Sequence, residues 1–502
     1  MEENLLPFGP GALCFIGLYL LSLIVIGWLG HRARESNSMK DFYLGGSGIG
    51  FLVLFMTLYA TQYSGNTLFG FSGKAYRIGY SWLTCVHFMI AIIVGYLLFA
   101  PRLHRLSRSG GYITPTDFLR ERYQSRGLNM LAPLVMIAAL ANYLLAQLTA
   151  MGRALQGLTS APPDTAFIFG VLLLAVIMVV YETMGGFRAV AWTDVIQGIM
   201  LLCGIAALTF MVFQQFGSLG SATATLLAGD AVDRAKVLPP DAYACRNWLS
   251  YVLLFGLGAS LYPQAIQRIY AAKSSRALRN SLALMAFMPL VTALFAVVIG
   301  VIGAAHISGL QGSSSDRILT VICREIQESS VLGYWLVALL FAAILAALMS
   351  TADSCLLTIS SMATRDVYQR FLHPDAREAR LTRVGKVLSW LVLALMATLA
   401  IHLNSLDTKP TLVRLLDMKF DMLVQLVPAF MIGIHWKFLR GDPVFLGMAA
   451  GLGVTFALYG NETIQATGFH NGLYGLLVNL AVAIGGSWIQ QRRSSSHEPA
   501  TS

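Results

Sequence analysis

The chain has 502 residues, 56% of them hydrophobic and only 12% charged, about half the charged share of a soluble domain. That composition excludes a multidomain soluble protein. No G-x-x-x-x-G-K-S/T phosphate loop, nucleophile–base pair or metal-ligand spacing is present, so ATP-driven pumping and conventional enzyme chemistry have no visible machinery, and no organic cofactor is expected.

The apolar mass comes as membrane-length runs, each near the roughly 20 residues that cross a hydrocarbon layer. Thirteen spans are expected, at about 11–30, 51–72, 80–100, 127–150, 164–182, 190–214, 246–266, 281–305, 331–361, 385–403, 421–437, 443–460 and 469–489. The first lacks a basic leader and a cleavage site, and reads as a retained helix. All 35 Lys and Arg fall between or beside the spans, as the insertion cost of a mid-membrane cation requires. Alternate loops divide them 24 to 11, the richer set being 31–50, 101–126, 183–189, 267–280, 362–386, 437–442 and 490–502. The richer side is cytoplasmic by the positive-inside rule, placing the N-terminus outside and the C-terminus inside. The net charge of +10 is thus a topology signal and implies no nucleic-acid partner; the partners expected are the lipid bilayer, a small solute and an ion.

The second span carries a polar cluster, Thr57 to Thr67, between Phe51–Met56 and Leu68–Phe71. Polar groups and a central glycine at that depth are costly unless the backbone opens to line a cavity. The seventh span repeats the theme with Gly256, Gly258 and Pro263. Interrupted helices in corresponding positions of two halves point to an inverted-repeat transporter. Units of five spans are expected over about 51–214 and 246–437, within one polytopic domain covering 1–490. The outward loops 215–245 and 306–330 have room for short helices, and 491–502 reads as a disordered cytoplasmic tail. Cys14, Cys85, Cys203 and Cys355 lie within spans; Cys245 and Cys323 fall in outward loops, where two free thiols are expected rather than a disulfide.

In the ninth span Ala343, Ala347, Ser350, Ser354, Thr358 and Ser361 step by three or four and share one small, polar helical face. Such a stripe packs helices in any membrane protein. Asp353 is different: it reads as the one carboxylate deep within a span, and an intramembrane ionisable group is functional by default. Hydroxyls at Ser350 and Thr351, with carbonyls released where the second span unwinds, offer several oxygens to a hard monovalent cation.

The runs Asp41-Phe42-Tyr43-Leu44-Gly45-Gly46, Gly185-Gly186-Phe187-Arg188-Ala189-Val190, Trp192-Thr193-Asp194, Pro263-Gln264-Ala265-Ile266-Gln267-Arg268 and Met349-Ser350-Thr351-Ala352-Asp353-Ser354, in that order, resemble the sodium:solute symporter family. That family includes the bacterial proline and pantothenate permeases and, more distantly, the sodium–sugar transporters. The resemblance runs from about Asp41 to Arg440. It implies an all-helical LeuT-like fold with five-plus-five inverted repeats and sodium-driven uptake of a small organic solute across the cytoplasmic membrane. It further implies a sodium site made by the carbonyls of Ala60, Tyr63 and Ala347 with the side chains of Ser350 and Thr351. A second ion or proton site is implied around Asp194, Asp353 and Ser354, with Asp353 standing where the two-sodium sialic acid transporters carry a serine. The implied solute cavity comprises Gln62, Ser64, Asn66, Thr67, Tyr143, Phe255, Ala259 and Gln425. In proline permeases an aspartate stands at the position of Gln62, tryptophans at those of Asn66 and Phe255, and a tyrosine at that of Ala259, which argues against proline as the solute here. A proton-coupled symporter using Asp353 or Asp194, and a solute sensor working with a separate partner, keep the same architecture.

Overall fold

A computed structural model describes residues 8–156, 162–405 and 412–495. Within them every long element is a helix, as a hydrocarbon solvent dictates, because a helix satisfies its own backbone polar groups. They are α1 (Pro10–Arg32), α2 (Phe51–Gln62), α3 (Phe71–Ile78), α4 (Thr84–Gly110), α5 (Leu128–Gln156), α6 (Pro163–Phe216), α7 (Ala242–Gly258), α8 (Pro263–Ala271), α9 (Ser275–Met285), α10 (Met288–His306), α11 (Val331–Met362), α12 (Glu378–Asn404), α13 (Leu412–Leu423), α14 (Gly441–Ala457) and α15 (Asn471–Ser495). Short helices Leu219–Ala228, Ala231–Ala235 and Ile318–Ser329 occupy the two long loops 215–245 and 306–330. Residues 491–495 continue α15; the rest of the expected tail lies outside the described residues.

Among the described residues, eight helices are long and apolar enough to cross a membrane, or nine if the bent pair α7–α8 is one span. The count of thirteen is not reached by that measure, for four physical reasons, the first being that the twelfth span, α14, has only 17 residues. The second span breaks, so α2 has only 12 residues. The fifth and sixth run together in the 54 residues of α6, interrupted at Gly186 (φ 60°, ψ −148°). The eleventh divides into α13, a 3-10 turn over Val424–Leu426 and a π-wound turn over Pro428–Ile432.

The two interrupted helices hold the centre. After Gln62 the chain is extended at Tyr63 (φ −99°, ψ 107°), and helical winding resumes over Asn66–Gly70 as a π turn. Between α7 and α8 the axis bends by 50° at Leu261–Pro263, where proline cannot donate to the preceding turn. The ends of the pair meet: Ile49 N–H donates to the Ala271 carbonyl at 3.1 Å and Lys273 N–H to the Ile49 carbonyl at 2.8 Å. This is a single parallel bridge.

α11 is the axle of the bundle, buried almost continuously from Val337 to Met362. The chain doubles back at Gly186, so Tyr181 and Asp194 both face α11, bonding Asp353 and Ser350 respectively. α1 seals the corner of α6: a Cβ at Gly27 would stand 2.7 Å from the Tyr181 Cα, and one at Gly30 3.1 Å from the Ala189 N. The outer faces carry exposed Leu18, Leu21, Phe169, Leu172, Leu391, Leu395 and Leu477, a surface suited to lipid tails rather than water.

Two expectations about charge are corrected. Arg268 and Lys419 do not lie beside spans; both are fully buried, on α8 and α13. Asp353 is not the one deep carboxylate either, since Glu182 and Asp194 are buried as completely. Arg268 is tolerated at that depth because it is paired with Asp194 and hydrogen-bonded, a partnership that an isolated run of sequence does not show. All six cysteines are free, Cys323 being buried and Cys245 exposed.

Candidate functional site

Asp194, on the second limb of α6, anchors the polar centre. It accepts short hydrogen bonds from Thr57 of α2 and Ser350 of α11, and Arg268 Nη2 of α8 lies 3.1 Å from its Oδ2. Arg268 spends its remaining donors on Thr57 Oγ1 at 2.9 Å, the Gln264 carbonyl at 3.1 Å and Ser354 Oγ at 2.6 Å. One guanidinium thereby joins α2, α6, α8 and α11. A buried pair whose lone pairs and protons are satisfied in this way avoids most of its desolvation cost.

Asp353 sits one helical position before Ser354 and turns to α6. Its Oδ2 accepts from Tyr181 Oη at 2.6 Å and its Oδ1 from Ser354 Oγ at 3.2 Å. Among the described residues no cation pairs with it. Thr61 Oγ1 reaches Ser354 Oγ at 3.2 Å, tying the broken second span to the same turn of α11.

Of the residues implied for sodium, Thr351 touches the break in α2. Thr351 Oγ1 donates toward the Ala347 carbonyl at 3.1 Å and lies 3.4 Å from the Thr61 carbonyl. In an unbroken helix Ser64 N–H would bond the Ala60 carbonyl; here it turns to Thr67 Oγ1 at 3.4 Å. Ala60, Tyr63, Ala347, Ser350 and Thr351 are all buried, with Ser350 committed to Asp194. Among the described residues no group of three or more His, Cys, Asp or Glu gathers as a transition-metal cluster would.

The implied solute residues divide. Tyr143 stacks on Tyr262 with ring centroids 5.4 Å apart, and Phe255 lies 4.2 Å from both Phe88 and Phe420. Phe420 in turn lies 5.2 Å from Tyr262, completing an aromatic cluster. Ser64, Thr67 and Ala259 are buried beside the helix breaks. Gln62 is half-buried, and its amide nitrogen finds no partner among the described residues. The Asn66 side chain lies outside the described residues. Gln425 is directed elsewhere: its amide nitrogen donates to the Gly472 carbonyl at 2.9 Å, and Asn479 donates to the Gln425 carbonyl at 2.8 Å, which clamps the eleventh span to α15.

Sequence reasoning missed Arg268, Thr57, Tyr181 and Lys419. Arg268 was in view as the end of a motif, but its position after the seventh span suggested a loop. Lys419 stands two residues before the expected start of a span, and only tertiary packing reveals that the membrane helix begins earlier.

Residues 42–451 match the sodium:solute symporter family. The chain belongs to that family. This sodium:solute symporter is 28% identical over 484 residues to the osmoregulated proline transporter of Bacillus subtilis, covering 95% of this chain and 94% of the relative. It is 26% identical over 476 residues to the sodium/pantothenate symporter of Escherichia coli, covering 93% and 94%. Its fold matches that of a solved sodium-coupled sialic acid symporter with a TM-score of 0.78 at 18% identity, over 96% of this chain and 98% of that one. The architecture is the all-helical LeuT-like one, and the symporter is a multi-pass membrane protein that couples a small solute to sodium.

Proposed function

We propose that this symporter drives a small organic solute into the cell by alternating access, with sodium bound between the break in the second span and α11. The observation that carries this reading is the meeting of Thr351 Oγ1 with the Ala347 and Thr61 carbonyls beside the extended backbone at Tyr63. The carbonyls of Ala60, Tyr63 and Ala347 and the hydroxyls of Ser350 and Thr351 are the proposed sodium ligands. Neutral oxygens suit a monovalent cation that must also leave. Sodium there fixes the interrupted helix, and the interrupted helix completes a chamber formed by Tyr143, Phe255 and Ala259 with Ser64, Thr67 and Gln62. The five-span units 51–214 and 246–437 then rock to open the chamber inward.

For a solute that carries no net charge, one sodium moving through about 100 mV contributes roughly 2.3 kcal/mol, and a tenfold gradient adds about 1.4. Together they sustain a solute gradient of a few hundredfold, and a second coupled ion would roughly square it. Asp353 favours a second cation: a fully buried carboxylate with only hydroxyl donors requires a proton or an ion to offset its charge. Asp194 already has Arg268, so the second site centres on Asp353 with Ser354 and Tyr181. An inward C-terminus fits the termini of α1 and α15, where Arg32 and Arg492 each stack 3.7 Å over a tryptophan, Trp28 and Trp488, as residues at a charged membrane interface do.

The test is the double substitution Ser350→Ala with Thr351→Ala, assayed as solute uptake in sodium and in potassium at equal ionic strength. Sodium stimulation is expected to vanish while the protein still reaches the membrane. Wild-type sodium dependence in the double variant would remove the site from α11.

A further inference from the structure

Lys419 is completely buried on α13, yet its Nζ has no hydrogen-bond partner among the described residues. Aromatic faces surround it instead: Nζ lies 2.9 Å from the ring centroid of Tyr143 and 5.1 Å from those of Tyr262 and Phe420. No carboxylate among the described residues comes within ion-pair distance of it: Asp417, two residues away on the same helix, accepts from Tyr251 Oη at 3.3 Å through one oxygen and has its other oxygen unpartnered, and Asp421 accepts from Tyr459 Oη at 2.9 Å and from Gly472 N–H at 2.8 Å. Cys355 of α11 and the phenols of Tyr143 and Tyr262 also lie near it. One helical turn from Tyr143, on the same face of α5, Gln147 is fully buried with both amide atoms unpartnered.

A buried ammonium is disfavoured unless it is paired and hydrogen-bonded, and cation–π attraction returns only part of that cost. Here the unpaired ammonium stands against an aromatic cluster that includes Tyr143, a residue the preceding reading gives to the solute. A carboxylate would satisfy it: the ammonium supplies charge and a donor, and the rings an apolar wall for the carbon skeleton. A phosphate, with more charge and more acceptors, calls for more than one cation.

Resting on the proposed solute chamber, we propose that the transported solute is a small organic carboxylate whose anionic group is held by the Lys419 ammonium. With one sodium, a monocarboxylate would cross without net charge; a second cation at Asp353 would make the cycle electrogenic.

The experiment measures thermal stabilisation of the purified full chain, in sodium and in potassium, by acetate, lactate, pyruvate, benzoate, L-proline and pantothenate, each beside its primary amide, with glucose and myo-inositol as neutral probes. Wild type is expected to respond to at least one carboxylate and to bind its amide on the order of 100-fold more weakly, because the site's charged donor is left unmatched. Lys419→Met should lose the response, Lys419→Arg should keep part of it, and Lys419→Met without solute should melt at a higher temperature than wild type. A neutral probe or amide that binds as well as any carboxylate overturns the proposal, as does a carboxylate response unchanged in Lys419→Met. Should the whole panel be silent, a lower melting temperature for Lys419→Met would show a structural lysine and overturn it, and a higher one supports it. A Lys419-dependent carboxylate response that is equal in potassium would contradict sodium coupling while leaving the carboxylate assignment standing.

Discussion

At the residue scale the centre of the molecule is organised by Arg268, which binds Asp194 at 3.1 Å and bonds groups on four helices. Arg268→Met strands Asp194 in the bundle, and removing one partner of a buried pair costs about 3–5 kcal/mol. A clear drop in melting temperature is expected, with much of it recovered in Arg268→Met/Asp194→Asn; strictly additive losses would show that the pair is not coupled. Asp353 is argued differently, since its partners are the hydroxyls of Tyr181 and Ser354. Asp353→Asn keeps the shape and deletes the charge. Its expected effect is a changed ion-to-solute ratio or a shifted pH profile of uptake, read by flux measurements; if both profiles match wild type, Asp353 is structural. Such roles were only half legible beforehand. A carboxylate in an apolar run announces itself, whereas Arg268 and Lys419 sit where local hydropathy is ambiguous, and each is explained by groups 70 or more residues away. For Gln425 the span was right and the direction was not, because its partners at Gly472 and Asn479 belong to helices that the local pattern does not relate to it.

At the scale of the helix, breaks matter more than lengths. The polar cluster from Thr57 to Thr67 and the Gly256, Gly258, Pro263 run revealed both interruptions, because polar atoms and a missing donor at bilayer depth demand an opened backbone. The fusion of two spans in α6 was not legible: the corner needs only Gly186, and the seven-residue loop expected around it closes to a single non-helical residue. Gly186 adopts φ 60°, and a Cβ there would meet the Phe42 carbonyl oxygen at 2.5 Å. Gly186→Ala is therefore expected to lose on the order of 1–3 kcal/mol through backbone strain alone, with the clash adding to it. The readout is melting temperature with retained helical content; an unchanged value would mean that the corner relaxes freely.

At the scale of the whole molecule the remaining question is which way the bundle faces. Cys245 is exposed at the start of α7, and Cys323 is buried in the loop helix Ile318–Ser329. Burial alone pushes the Cys323 thiol up to about 12, so little thiolate forms at neutral pH and it is a poor nucleophile. A membrane-impermeant maleimide added to intact cells at neutral pH should label wild type and fail on Cys245→Ser. Labelling of Cys245 only after permeabilisation would reverse the orientation. Lys and Arg loop counts are the basis of this proposed orientation, whereas no local pattern tells which of the two loop cysteines the fold covers.

Coupling is the claim on which the rest depends. The decisive measurement is uptake into proteoliposomes of whichever labelled solute stabilises the purified protein, driven in turn by an inward sodium gradient and by an inward proton gradient with potassium replacing sodium. Accumulation above equilibrium in the first condition alone, lost in Ser350→Ala/Thr351→Ala, is the predicted result. Accumulation that follows the proton gradient and ignores sodium would contradict it.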